Sequence, residues 1–439
     1  MRAVVDSAWA PYEPAASAPW SLRRVVHLHR RAGFGASAEE LERDLADGFE
    51  PALARFLAGK RGVGVPESFV STSQLLVDGA LAANDANRLA AWWLWRMLVA
   101  PDPLGERLAL LWHDHFATSQ LKVMDLAAMQ RQNDLFRRHA RAPFAKLLGS
   151  VVKDSALLVW LDAQSNKKQH PNENLARELM ELFTLGEGNY TEQDVKEAAR
   201  ALTGLSVTAE ARVHFAAQNH DDGEKTILGR TARFDADLLL AHLVGQPATA
   251  RSIAWRLCTL FLREEVTTEE VVRSLAAELV AHELDLGYAV ALVLRSRLFF
   301  SDENLGGVVL GPAQWIVGAA RGLGLSDPAP STLALAEWCA RLGQKLFYPP
   351  TVFGWDGGRA WITSGTLLGR ARFAQELATG GLTSGADPLA RFARADTLES
   401  ELARVFLGAA SGAKSPSGPH EAPARSVARF LASPAAQLG

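Results

Sequence analysis

The sequence predicts a mainly α fold, a compact multi-helix globular body with at most a small β-hairpin. Three observations carry this. Apolar residues recur at the 3.6-residue spacing of an amphipathic helix over many long stretches. Runs that alternate Val, Ile and Thr with polar residues are scarce. The chain of 439 residues is 48% hydrophobic and 22% charged, enough apolar material to enclose a large core.

Helical periodicity covers residues 38–58, 87–99, 103–116, 125–148, 173–185, 191–202, 235–244, 248–262, 268–281, 286–295 and 333–342. Several ends are marked: Pro103 suits a first turn, Thr191-x-x-Asp194 reads as a capping box, and Gly186 as a C-cap. The apolar run 308–325 is broken by Pro312, Gln314 and Arg321, so it predicts a buried helix and not a membrane span. Residues 212–215 and 225–228 predict one hairpin, joined through the polar turn 219–223. From about residue 380 the composition shifts to Gly, Ser and Pro between Ala/Arg-rich segments. The expected division is a helical core over 1–380 and a peripheral helical tail over 381–439.

Charge and cysteine usage exclude several classes. The 46 basic and 49 acidic residues are interspersed and give a net charge of -3, so no field of one sign is available to draw in nucleic acid. Cys258 and Cys339 are far apart and outside any CxxC spacing; they read as small core residues. Pro11, Pro14 and Pro19 interrupt the first residues, which lack the apolar stretch of a secretory signal, so a cytoplasmic location is expected. GxSxG, HExxH, a strand-linked GxGxxG and paired CxxC motifs are missing from the sequence.

The densest paired charge lies in residues 170–205. On a helical wheel Leu175, Ala176, Leu179, Met180, Leu182 and Phe183 share one side, with Glu173, Asn174, Arg177, Glu178 and Glu181 on the other. Arg177 is four residues from both Glu173 and Glu181 and can neutralise either. A solvated, self-paired face is one reading; the other is a covered face in which Glu178 and Glu181 need a cation, a metal or a proton. His113 and His115 form an HxH pair, which on a helix points the two rings about 160° apart. Structural histidines are one outcome and metal ligation the other. Residues 219–225 gather His220, Asp221 and Lys225 in a single turn, which is either a polar hairpin loop or part of the same cleft as the central helix. Residues 347–361 join a Pro pair to a Gly-rich loop whose Trp355, Arg359 and Trp361 suit either a buried Ω-loop or a surface for a sugar or other flat ligand. Near the N-terminus a short helix capped by Gly33 carries His27 and His29.

The strings RRAGFG (30–35), WHDHFA (112–117), NENLARELMELFTLG (172–186), YTEQDVKEAARALTG (190–204), HDDGEKTILG (220–229) and PPTVFGWDGGRAWI (349–362), in that order, resemble a bacterial family known as domain of unknown function 1800. The resemblance runs over residues from about 20 to 380. It implies a mostly helical, uncharacterised protein, often encoded beside a sulfatase-like protein, and it supplies no catalytic residues. Where the family commonly has Trp after ALTG, this chain has Leu205. Members are often exported, whereas this chain shows no export signal.

Three functional readings remain open on these grounds. The first is a metal-assisted hydrolase or group-transfer enzyme for an anionic or carbohydrate-like substrate, which is a small molecule or a polymer. Glu178, His115, His220 and Asp221 would be catalytic, and His113, His115, Glu178 and Glu181 would hold a divalent metal. Asn174, Arg177, Lys225, Trp355, Arg359 and Trp361 would bind ligand. The second is a non-catalytic binding or assembly protein whose polar motifs are buried networks. The third is a haem or redox protein with His113 or His115 as axial ligand.

Overall fold

Short polar side chains fix where most helices begin. In the computed structural model, which describes residues 8–208, 210–383, 387–392, 398–409 and 422–439, Ser37 and Thr191 close capping boxes with Glu40 and Asp194. Asp85, Asp102, Asp125, Asp154, Asp235 and Asp285 each accept a backbone N–H in the first turn of the helix that follows. Caps of this kind contribute about 1 kcal/mol each.

The first half of the chain runs through α1 (Leu22–Ala32), α2 (Ala38–Asp47), α3 (Phe49–Leu57), α4 (Phe69–Ala82), α5 (Ala86–Val99), α6 (Pro103–His115), α7 (Gln120–Val123), α8 (Leu126–His139), α9 (Phe144–Val152) and α10 (Ser155–Trp160). Next come α11 (Asn174–Glu178), which continues directly into a π-helix (Leu179–Leu185), and α12 (Glu192–Ala201). Four short strands follow: β1 (Leu205–Val207), β2 (Val213–Phe215), β3 (Lys225–Ile227) and β4 (Arg230–Ala232). The second half contains α13 (Ala236–Val244), α14 (Pro247–Phe261), α15 (Glu269–Ala281), α16 (Leu286–Arg295), α17 (Pro312–Gly322), α18 (Thr332–Arg341), α19 (Ser364–Ala378), α20 (Leu398–Leu407) and α21 (Pro423–Ala432). Mainly α is therefore the observed class. No helix is long and apolar enough to cross a membrane among the described residues.

A continuous apolar core is built around Trp93, Trp112, Trp315, Phe34, Phe116, Phe136, Phe144 and Phe183, all fully buried. Helix α17 runs through it with Trp315, Ile316 and Val317 enclosed, which accounts for the apolar run read in the sequence. Both cysteines are free and buried in this core. Three buried carboxylates are paired: Glu40 meets Arg61 and Arg321, Glu106 meets Arg96 and Arg137, and Asp44 meets His29, Arg43 and Arg55. Removing one partner of such a set would strand a charge in a dry interior.

The structure differs from the sequence-based expectation in three places. The stretch 38–58 is two helices, because Gly48 turns the chain at φ +88°. The stretch 125–148 breaks before Pro143, whose ring disfavours helical geometry in the residue ahead of it. The expected pairing of 212–215 with 225–228 does not form: β2 pairs antiparallel with β1, and β3 with β4. The described part of 381–439 is packed on the body. Helix α21 lies against α19, Val308 and Gly439 exchange backbone hydrogen bonds, and Arg30 donates to the carbonyls of Phe406 and Ala436.

Candidate functional site

A cleft of about 540 Å³ opens between α6, α14, the residues just before α17, and the loop 355–361. Two helices present stripes to it. From α6 come Arg107, Leu110, Leu111 and Asp114, spaced i, i+3, i+4, i+7 along one face. From α14 come Trp255, Arg256, Thr259 and Leu260, one turn apart in pairs. Arg31, in the last turn of α1, reaches the cleft from behind. Gly307, Val308, Val309 and Gly311 supply a wall of backbone and small side chains.

Four arginines line the cavity; Arg359 pairs with Glu265, and among the described residues Arg31, Arg107 and Arg256 are in no salt bridge. Arg31 is fully buried; it donates to the carbonyls of Leu260 and Phe261 at the C-terminal end of α14, and its Nη1 has no partner. Burial, with Arg107 nearby, pushes its pKa down to about 9. Arg107 is buried with Nε unpartnered, and burial lowers its pKa to about 9 despite the attraction of Asp114. Arg256 stacks over Trp255 at 5.5 Å, and burial lowers its pKa against the same attraction. A cation held short of counter-charge in a dry setting is stabilised by any anion that enters.

Glu264, Glu265 and Asp356, all exposed, also line the cleft; Asp114 is its enclosed carboxylate. Burial raises its pKa to about 6, opposed by the Trp355 N–H and by Arg256 and Arg107. Its Oδ1 accepts the backbone N–H of Trp355 at 2.8 Å. That bond requires the loop backbone to touch the aspartate, and Gly354 makes this possible: at φ +80°, a Cβ there would sit 2.2 Å from Asp114 Oδ1. The strings RRAGFG, WHDHFA and FGWDGGRAW therefore meet in space, through Arg31, Asp114 and residues 354–361.

Of the ligand-binding residues expected from sequence, Trp355, Arg359 and Trp361 line this cleft. Trp355 is largely buried beside His113, whereas the Arg359 side chain is exposed at the rim, 3.9 Å from Glu265. The other expected residues lie elsewhere. His113 is enclosed by Trp93, Phe136, Phe347 and Trp355, and burial drops its pKa to about 3. His115 faces Trp112, Phe116 and Phe183, and burial holds it well below the imidazole range. Both are neutral rings in aromatic packing, and neither lines the cleft.

Of the two pairs its spacing suggested, the central helix makes Arg177 with Glu173 and, among the described residues, not Arg177 with Glu181. Arg177 is bidentate to Glu192 and reaches Glu173, while Glu181 accepts the Tyr190 hydroxyl at 2.5 Å. Glu178 is half-buried, and burial together with Glu181 raises its pKa to about 7. Asn174 donates to Asp162 at 3.2 Å. The turn 219–225 is saturated internally: Asp221 is clasped by Arg200, His220 Nδ1 meets the Thr203 carbonyl, and Lys225 donates to the carbonyls of Asp221 and Gly223. These contacts join the turn to α12 and the residues that follow it. Among the described residues, no three His, Cys, Asp or Glu side chains converge in a way that could hold a metal ion. The proposed set His113, His115, Glu178 and Glu181 is thus not assembled, because the two rings are packed apart and the carboxylates belong to another surface.

Sequence reasoning missed Arg31, Arg107, Trp255 and Arg256 and did not use Asp114 as a site residue. The spacing of Arg107 and Asp114 by two helical turns was a usable signal; Arg31 and Arg256 carried none, since only tertiary packing brings them to the cleft.

No curated protein and no solved structure gives a significant match to the chain. Residues 27–438 match the family described as "Protein of unknown function (DUF1800)", including the C-terminal helices and every residue of the cleft, and the chain belongs to that family.

Proposed function

We propose that the protein binds a small anionic ligand in the cleft formed by Arg31, Arg107 and Arg256. The observation that carries this is the convergence of three guanidinium groups, two of them with unpartnered buried nitrogens, on one open cavity. Guanidinium forks match carboxylate and phosphate oxygens in geometry and retain their charge even when burial lowers their pKa. Asp114 adds a proton acceptor whose pKa lies near neutrality. That combination suits hydrolytic or group-transfer chemistry: the aspartate takes the proton of an attacking hydroxyl and the arginines hold the charge that develops on the anionic group.

Calorimetric titration of the purified protein with inorganic phosphate at low ionic strength tests the binding step. Wild type should bind saturably, and Arg107→Gln should weaken binding by about 10–100-fold, as expected for one charge-assisted bond. Arg177→Gln, which removes a cation outside the cleft, should leave it unchanged. Equal affinity in wild type and Arg107→Gln, or no binding by wild type, would sink the reading.

A further inference from the structure

The arginines occupy one part of the cleft; its rim is aromatic. Trp361 shows how this rim is built. A side-chain carbon placed on Gly311 would lie 3.4 Å from the indole Nε1, and one on Gly343 would lie 3.7 Å from the far carbon Cζ3. The indole therefore lies beside two glycines, one near each end, at distances where an added Cβ would make ordinary van der Waals contact. Its position lining the cavity leaves ring surface open to a ligand. Trp255, half-exposed, lines the same cavity from α14.

The indole N–H groups of the cleft are open donors. Trp9, Trp20, Trp92, Trp93, Trp112 and Trp338 each donate to a protein acceptor. Like the buried indole nitrogens of Trp160 and Trp315, those of the three tryptophans of the cleft, Trp255, Trp355 and Trp361, donate to none among the described residues. An indole nitrogen is only a donor, so these groups want acceptor oxygens from whatever enters. Thr259, Gln314, Gln344 and Asp356 line the cavity with hydroxyl, amide and carboxylate groups.

Ring faces beside separate donors and acceptors match a saccharide, whose C–H face stacks on an indole while its hydroxyls both give and accept hydrogen bonds. Resting on the anion-binding reading, we infer that the ligand is an acidic saccharide: a sugar ring against Trp361, with its carboxylate or phosphate group on Arg31, Arg107 and Arg256. A cavity of about 540 Å³ has room for a ring with its substituents.

Titrations with inorganic phosphate, glucose 6-phosphate, glucuronate, glucose and adenosine monophosphate separate the two parts. Glucose 6-phosphate should bind wild type at least about tenfold tighter than inorganic phosphate, a difference of about 1.4 kcal/mol. Trp361→Ala should erase that gain and keep phosphate affinity; Trp361→Phe, which retains an aromatic face, should keep part of it and guards against a folding artefact. Arg107→Gln should weaken both. If phosphate binds but neither sugar acid gains over it, or if the adenosine nucleotide binds tightest, the saccharide assignment fails and anion binding stands. If phosphate itself does not bind, both fail together.

Discussion

Gly354 and Asp114 show how one residue without a side chain can hold a site together. The loop backbone rests on the aspartate where a Cβ would collide, and the left-handed φ would strain any L-residue as well. Gly354→Ala should lower unfolding free energy by about 2–4 kcal/mol, read from urea denaturation, through the combined clash and strain. Asp114 carries a pH signature. Its folded pKa of about 6 lies above the unfolded value of 3.8, so the native state binds the extra proton and stability falls as pH rises between those values. Asp114→Asn should remove up to about 2–3 kcal/mol of that decline, visible as a flatter stability curve between pH 4 and 6.5. An anion in the cleft should also bind more weakly to wild type as pH rises through about 6, because the aspartate becomes charged beside it. A phosphate affinity independent of pH after correction for phosphate ionisation would contradict a role for Asp114 in this cleft.

At the scale of elements, legibility followed how local the cause was. Helices α6 and α12 begin where Pro103 and the Thr191 box place them, since a capping residue acts within four positions. The hairpin pairing was hidden because β3 and β4 are joined by Leu228 and Gly229, both at positive φ; Leu is an unusual residue for that turn, and its N–H is held by Asp194 from a distant helix. The π-helix after Glu178 was equally hidden, although Thr184 donates back to the carbonyl of Leu179, the i−5 contact that such a turn allows. Gly48 was read as interior helix; its φ +88°, ψ 177° is a conformation nearly reserved for glycine. Gly48→Ala should cost about 1–3 kcal/mol by thermal or urea unfolding even though no neighbour crowds the added methyl. A neutral result would mean the α2–α3 junction can relax.

For the whole molecule, the sequence showed which strings matter better than it showed what they do. The paired charge of residues 170–205 and the turn 219–225 drew attention because charge density is visible in one dimension; in three dimensions Arg177, Asp221 and Lys225 have their partners close by. The cleft drew less, because its decisive property is that Arg31 and Arg107 carry unpartnered nitrogens and form no salt bridge among the described residues, and only the packed chain displays this. The C-terminal segment belongs to the same assembly: Gly439 and Gln437 hydrogen-bond to Val308 and Leu310, and Val308 lines the cleft. Deleting residues 434–439 should therefore lower stability and weaken phosphate binding together, whereas a peripheral appendage would change neither. The most direct measurement is diffraction from crystals soaked in selenate, located by its anomalous signal. The account predicts the anion within about 3 Å of guanidinium nitrogens of Arg31, Arg107 or Arg256. Selenate bound at Arg177 or Lys225, with the cleft empty of it, would contradict the central claim.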